Sequence, residues 1–173
     1  GFFNNDKLYI EVASGSTNPL LLVTTQLFRD VSAWYHIQYV IDTAQSTDTN
    51  RIKIYVNGSQ ITSFSTATYY DQNDDFEFWT TDIEHQIGQA TAASVAGYDG
   101  YIAELYYLDG TAAEPSVFGE TKDGMWIPVD ASSSTFGDNG YYLPFAVTQG
   151  DSAFFDGSGD SLKFTDASDY DIA

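Results

Sequence analysis

Alternating apolar and polar residues in the central stretch 34–64 predict two paired strands around which the rest of the chain is arranged. The apolar residues within 52–56 lie two positions apart, so in a strand their side chains point to one face. Asn57-Gly58 then supplies the two residues of positive φ that a type I′ turn requires. The pattern therefore predicts a tight hairpin in which residues 59–64 fold straight back.

Shorter apolar runs bounded by turn residues predict further strands along the chain. They lie at residues 7–13, 20–28, 34–42, 85–88, 100–108, 141–145 and 161–164. Residues 43–50 and 120–140 are predicted to be mostly loop. A single helical turn is predicted at 114–119, where Pro115 lies near the start and Gly119 at the end. Many short strands with almost no helix predict an all-β chain folded as an antiparallel β-sandwich.

The composition supports one folded domain with a strongly acidic surface. The 173 residues are 43% hydrophobic and include 13 Tyr and 12 Phe, residue types that favour strands. Six basic residues against 25 acidic ones give a net charge of −19, which repels nucleic acid and anionic membranes and favours bound cations. The absence of cysteine excludes disulfides and thiolate metal sites. No run approaches the roughly 20 apolar residues of a membrane helix.

One acidic segment has the spacing of a calcium-binding loop. Asp71, Asn73 and Asp75 occupy its first, third and fifth positions, and their oxygen atoms are the ligands that Ca2+ prefers. Phe76 stands where a standard EF-hand loop has glycine, so only a looser Ca2+ site is predicted. The alternative is a solvated acidic loop without metal.

Four aromatic residues are predicted to lie on or beside loops, where they could stack on sugar rings or anchor a protein partner. They are Tyr69, Tyr70, Trp79 and Tyr98. The alternative is that Trp79 and one of the tyrosines belong to the core. Trp34 and Trp126 are predicted to be core residues.

Catalytic signals are weak. Asp82 and Glu84 have the spacing of two carboxylates on one strand face, as in jelly-roll glucanases, but Thr80 stands where the leading glutamate of that pattern would be. His36 and His85 lie near no serine or aspartate pattern of nucleophilic catalysis and are interpreted as strand histidines with hydrogen-bond partners. We therefore expect a protein that is not an enzyme.

Several segments together resemble laminin-G-like modules of the concanavalin A-like jelly-roll family. They are WYHIQYVID, RIKIYVNGSQITSF, HQIG, and DGYIAELYYLDG followed by EPSVFGE. With DGMWIPVD and GDNGYYLPF, the chain is more narrowly similar to laminin-G-like modules of virion proteins from tailed phages, chiefly marine and other aquatic phages. The resemblance runs from about Lys7 to Phe145 and implies a jelly-roll β-sandwich.

The chain departs from the resembled family at its ends. Family modules open with an aromatic-D-G-S-G-D strand, which here stands at Phe154–Ala173 instead. We therefore expect a sandwich over residues 1–145 that lacks its opening strands, and a segment 146–173 that resembles an opening strand. That segment either begins a second module or fills the missing strand position, in the same subunit or by donation in a neighbour. Gly1 in place of methionine indicates a processed or partial polypeptide.

The resemblance implies a structural and adhesion module of a virion, such as a phage fibre, tail or capsid-decoration protein. Such a module is located on the virion or outside the cell. Its loops would contact a host surface glycan, other virion proteins or further copies of itself in a homo-oligomer. The alternative is a carbohydrate-binding module of a secreted bacterial protein, with calcium shaping its loops. A glycan hydrolase is a third interpretation.

Overall fold

The computed structural model describes residues 2–14, 17–74, 85–88, 97–145, 153–156 and 162–164. The strands are β1 (Phe2–Asn4), β2 (Lys7–Ser14), β3 (Thr17–Thr24), β4 (Ile37–Ile41), β5 (Ile52–Val56), β6 (Ser59–Ile61), β7 (Phe64–Thr68), β8 (His85–Ile87), β9 (Asp99–Ile102), β10 (Leu105–Tyr107), β11 (Gly119–Lys122), β12 (Met125–Pro128), β13 (Tyr141–Leu143), β14 (Ala153–Asp156) and β15 (Leu162–Phe164). Helix α1 (Asp48–Arg51) and a 3₁₀ helix (Pro115–Val117) are each about one turn long. None of the helices in the described ranges has the length and apolar character needed to cross a bilayer.

The chain divides into two compact units, each built from two separate stretches of sequence. The first comprises Gly1–Phe76 and Ala112–Ala131, and the second comprises Glu77–Thr111 and Ser132–Ala173. This division concerns packing within one chain. The predicted boundary between residues 145 and 146 instead marks where one family module would end and the next would begin. It stays a prediction.

The first unit is a β-sandwich of two antiparallel sheets. One sheet has the strand order β1-β2-β3-β7 and the other β4-β5-β6. Buried side chains from both sheets form one core, to which the loop residue Tyr70 also belongs; it consists of Leu8, Ile10, Leu20, Leu22, Ile52, Ile54, Val56 and Tyr70. Because each sheet contributes alternate side chains to this core, the predicted fold class, an all-β antiparallel sandwich, is confirmed.

The central hairpin has the predicted geometry. Asn57 and Gly58 have φ values of 48° and 74°, and Val56 is paired with Ser59 across the turn. Ile54 is fully buried, and the alternate positions Ile52 and Val56 are 2% and 6% exposed. The two-residue apolar period therefore identifies the core-facing side of β5.

The strands beside this hairpin differ from the prediction at three points. β4 begins at Ile37 rather than Trp34, because the His36 N–H donates to the Asn57 side chain, at 2.8 Å, just before the ladder starts. The Trp34 side chain is 63% exposed, which corrects its expected place in the core. β6 ends at Ile61, and β7 crosses to the other sheet to pair with β3.

The segment 112–131 contains more strand than predicted. The expected helical turn is confirmed as the 3₁₀ helix, but β11 and β12 form a hairpin where a loop was expected. Asp123 and Gly124 make its turn, with φ values of 51° and 79°. Most side chains of both strands are exposed, so this hairpin has no alternating apolar pattern to predict it.

The described residues of the second unit form three antiparallel strand pairs. β8 pairs with β15, β9 with β14, and β10 with β13. The single strand predicted at 100–108 is interrupted at Glu104, whose φ of 51° lies in the left-handed region. The C-terminal strands β14 and β15 are therefore paired within the same chain in this structure.

Candidate functional site

The β9–β14 ribbon of the second unit has one buried and one exposed side. Successive residues of a strand point to opposite faces, and the exposure of this ribbon follows that rule. The Phe155 side chain is 4% exposed, whereas its neighbour Phe154 is 55% exposed and Tyr101 is 56% exposed. The outward side chains, which we call the β9–β14 face, are Asp99, Tyr101, Phe154 and Asp156.

The two aromatic rings of this face form a cross-strand pair. Tyr101 and Phe154 are opposite each other in the ladder, and their ring centroids lie 4.9 Å apart with a 38° angle between the planes. Such pairing stabilises a ribbon by roughly 0.2–1 kcal/mol, which is one role for these rings. More than half of each side chain nevertheless remains in water, so the pair also offers an apolar surface to a ligand.

Two carboxylates lie next to the aromatic pair on the same face. Asp99 is opposite Asp156 in the ladder. Each aspartate is two residues from the aromatic residue of its own strand, which is about 7 Å along the strand. Carboxylate oxygens accept hydrogen bonds from hydroxyl or amino groups. The β9–β14 face therefore combines ring surfaces for stacking with acceptors for the polar edge of a ligand.

The sequence-predicted contact residue Tyr98 lies beside this face but on the other side of the ribbon. Its hydroxyl donates to the Tyr101 carbonyl at 3.3 Å, and its ring packs edge-on against Phe155. A Cβ atom at Gly100 would meet the Tyr98 hydroxyl at 3.0 Å, so the ring covers the glycine backbone. Burial and the charge of Asp99 both raise the pKa of Tyr98. Tyr98 supports the ribbon, and its predicted contact with a ligand stays a prediction.

Tyr69 and Tyr70 are part of the first unit and serve its core. Tyr70 is 5% exposed and belongs to the core cluster, which corrects its assignment as a surface contact residue. Tyr69 is half-buried and packs against the same cluster. The Arg51 guanidinium donates to the Tyr70 carbonyl at 2.7 Å and fixes the backbone here. The alternative interpretation, in which one of the loop tyrosines is a core residue, therefore holds for Tyr70.

The predicted calcium ligands are only partly within the described residues. Asp71 and Asn73 lie in a turn in which the Asp71 N–H donates to the Asp74 carboxylate at 3.2 Å and the Asn73 N–H donates to the Thr43 carbonyl. Asp75 lies outside the described residues, as does the predicted contact residue Trp79. Within the described ranges, no three His, Asp or Glu side chains are grouped to hold a metal ion. The Ca2+ site stays a prediction.

The first unit has an open groove beside β5, with a volume of about 600 Å³. Tyr55, Glu114 and Trp126 line it, and burial together with the charge of Glu114 raises the pKa of Tyr55. The Trp126 ring lies against the backbones of Gly58 and Gly119 and 5.5 Å from the His36 ring. Because this indole is packed on its neighbours, the groove offers less aromatic surface than the β9–β14 face does.

The predicted histidines and the weak hydrolase pattern do not form a site in the described chain. His36 precedes β4, where its ring packs against Trp126 and Phe118, while His85 lies on β8. The expected hydrogen-bond partner of the His36 ring is missing at Nδ1 within the described residues. Asp82 and Glu84 lie outside those residues.

Sequence reasoning missed Tyr101 and Phe154, although one signal predicts that either Phe154 or Phe155 is exposed. Two consecutive aromatics in a strand, as in Phe154-Phe155, must point to opposite faces. One of the two therefore has to meet solvent if the strand covers a core with one side only. Tyr101 carries no comparable signal, because its exposure depends on which strand pairs with β9.

Comparison with known proteins agrees with the observed architecture. A family model described as the Concanavalin A-like lectin/glucanases superfamily matches residues 1–118 of the 173. The match includes both sheets of the sandwich in the first unit and β8 to β10 of the second, and it ends before the β11–β12 hairpin. No curated protein and no solved structure gives a significant match.

Proposed function

Because the chain belongs to the Concanavalin A-like lectin/glucanases superfamily, we propose that it is a non-enzymatic module that binds carbohydrate through its β9–β14 face. The observation that carries this proposal is the pair of rings, Tyr101 and Phe154, each more than half exposed on one side of a ribbon. The apolar face of a sugar ring stacks on such side chains, and its hydroxyl groups bond to neighbouring carboxylates.

The form of this face favours binding over hydrolysis. A glycosidase needs two carboxyl groups on either side of the scissile bond. Asp99 and Asp156 are instead both exposed on the outer side of a ribbon rather than buried in a substrate cleft. This arrangement supports a role in holding a glycan rather than cleaving it.

We further propose that the module acts on a phage virion, as part of a fibre, a tail or a capsid decoration. The support is the similarity of residues 7–145 to laminin-G-like modules of phage virion proteins. In that role its partners are other virion proteins and further copies of the chain, and its ligand is a glycan of the host surface. Immunogold labelling of purified phage particles with an antibody to this chain tests the proposed location. Particles that stay unlabelled would contradict a place on the virion.

The binding proposal is tested by removing the rings one at a time. Tyr101→Ala and Phe154→Ala should each weaken binding to the best ligand of a glycan array about tenfold or more, because aromatic anchors contribute over 1 kcal/mol. Tyr101→Phe keeps the ring and should keep most of the affinity. Isothermal titration measures the affinities, and thermal melting confirms that each variant is folded.

Trp34→Ala provides the matched control, because Trp34 is an exposed aromatic residue of the first unit. This variant should bind like the unmodified chain. If the Tyr101 and Phe154 variants are folded and retain full affinity while Trp34→Ala loses it, the glycan site is on the first unit and the proposal is wrong.

A further inference from the structure

We infer that the β9–β14 face selects glycans that carry free amino groups, such as glucosamine polymers, over neutral and acidic glycans. This inference rests on the proposed function and names the ligand class of the same site. Its basis is the position of two carboxylates directly beside two exposed aromatic rings.

The carboxylates of Asp99 and Asp156 form a like-charged cross-strand pair. Residues directly opposite in an antiparallel ladder are neighbours, and like charges there destabilise the pairing. Asp99 also acts on its surroundings, since its charge contributes to the raised pKa of Tyr98. An ammonium group placed between the two carboxylates could donate charge-assisted hydrogen bonds to both, and such bonds are stronger than those that a hydroxyl group donates.

The aromatic rings add a second attraction for a cation. A positive group near the face of an aromatic ring is attracted by the ring quadrupole. Tyr101 and Phe154 supply two such rings next to the carboxylates. An amino sugar presents an apolar ring face and an ammonium group on one small unit, so it can use both features together.

The charge of the whole chain acts in the same direction. A net charge of −19 attracts cationic ligands over a distance and repels glycans that carry carboxylate or sulfate groups. The carboxylate pair adds a short-range preference to this general field. Both contributions weaken with added salt, because ions screen exposed charges beyond about 10 Å at 0.1 M.

Three oligomers of equal length test the inference: glucosamine, N-acetylglucosamine and glucose. The N-acetyl form keeps the sugar ring and removes the charge. We expect the glucosamine oligomer to bind at least about tenfold more tightly than the other two, which corresponds to 1.4 kcal/mol. Asp99→Asn combined with Asp156→Asn should abolish this preference while the Tyr101 ring still supports binding of the neutral oligomers.

The matched control is Glu120→Gln combined with Asp123→Asn, which removes the same charge from exposed residues of the β11–β12 hairpin. It should keep the preference for glucosamine. If both double variants lose the preference for glucosamine to the same extent, only the net charge matters and the inference is overturned.

The two proposals fail in different ways. If the neutral oligomers bind as well as glucosamine and depend on Tyr101, the selectivity is wrong and the glycan site stands. If no oligomer and no array glycan binds the unmodified chain, the proposed function itself fails. Equal binding of a lysine oligomer to the same face would overturn the assignment to glycans and indicate recognition of amines on a protein.

Discussion

The His36 ring lies against two other aromatic residues, and its titration should affect the stability of the fold. Its centroid is 5.5 Å from that of Trp126 and 6.0 Å from that of Phe118. Burial lowers the pKa of His36 below its ordinary value of 6.5. Because the unfolded chain then binds a proton more readily than the folded chain, the free energy of unfolding should decrease as the pH falls through 6.5.

A His36→Phe variant keeps a ring in this position and removes the proton site. Between about pH 7.5 and pH 5.5 its free energy of unfolding should fall less than that of the unmodified chain, because a histidine titrates in this range. Urea denaturation at several pH values measures the difference. Parallel curves for His36→Phe and the unmodified chain would contradict the expectation.

The candidate site shows what single residues reveal before a structure is known. Tyr69, Tyr70 and Tyr98 lie between strands, as expected, but the sequence does not show that Tyr70 is buried or that Phe154 is exposed. Burial depends on which strands become neighbours, and that information is not local. Asp99 and Asp156 are 57 positions apart along the chain, so only the pairing of β9 with β14 brings them together.

Two hairpins of the first unit meet at a point where only glycine fits. The Trp126 ring of β12 lies over Gly58 in the β5–β6 turn and over Gly119 in β11, and a Cβ atom at either glycine would overlap the ring. Gly119→Ala should therefore lower the free energy of unfolding by about 1–3 kcal/mol through overpacking. When Trp126→Ala is also present the alanine no longer meets a ring, so the combined loss should be smaller than the sum.

Denaturant unfolding of the two single variants and the double variant measures this coupling, which we expect to be between about 0.5 and 3 kcal/mol. Gly124→Ala in the same hairpin is the control. Nothing lies within 4 Å of a Cβ atom at Gly124, so its effect comes from a φ of 79° and should add to that of Trp126→Ala. If the decreases in unfolding free energy caused by Gly119→Ala and Trp126→Ala are additive, the Trp126 ring can move aside to make room for the alanine.

The elements that were predicted correctly are those whose signals are local. The β5–β6 hairpin follows from a two-residue apolar period and from two turn residues with positive φ. β7 could not be assigned to the opposite sheet, because a strand of five mostly exposed residues carries no preference for either neighbour. The interruption at Glu104 was also missed, since a single left-handed residue leaves the apolar pattern around it unchanged.

At the scale of the whole molecule, the basic residues leave most of the acidic charge uncompensated. Arg29 pairs with Asp6 at 2.9 Å on the surface, where such a pair contributes little to stability. Arg51 donates to the carbonyls of Gln45, Ser46 and Tyr70 rather than to carboxylates. Six basic residues cannot balance 25 acidic ones, so the field around the chain stays anionic.

The pairing of β14 with β9 raises the question of whether the final segment belongs to its own subunit or to a neighbour. Ile102 and Ala153 are opposite each other in this ladder, where Cα atoms lie about 4.5–5.5 Å apart, within the range that a disulfide spans. The chain contains no cysteine, so cysteines introduced at these two positions have no competing thiols. The double variant Ile102→Cys with Ala153→Cys should therefore oxidise to a cross-link inside one chain.

Electrophoresis without reducing agent distinguishes the two arrangements. Pairing within one chain gives a single monomer band, whereas strand donation gives covalent dimers or longer products. An equimolar refolded mixture of the two single variants is the complementary test, because neither chain alone can then close the cross-link. If β9 and β14 pair within one chain, that mixture contains no disulfide-linked heterodimer of the Ile102→Cys chain with the Ala153→Cys chain. A strong heterodimer band would mean that the β9–β14 face, with Tyr101 from one subunit and Phe154 from another, forms only in an oligomer.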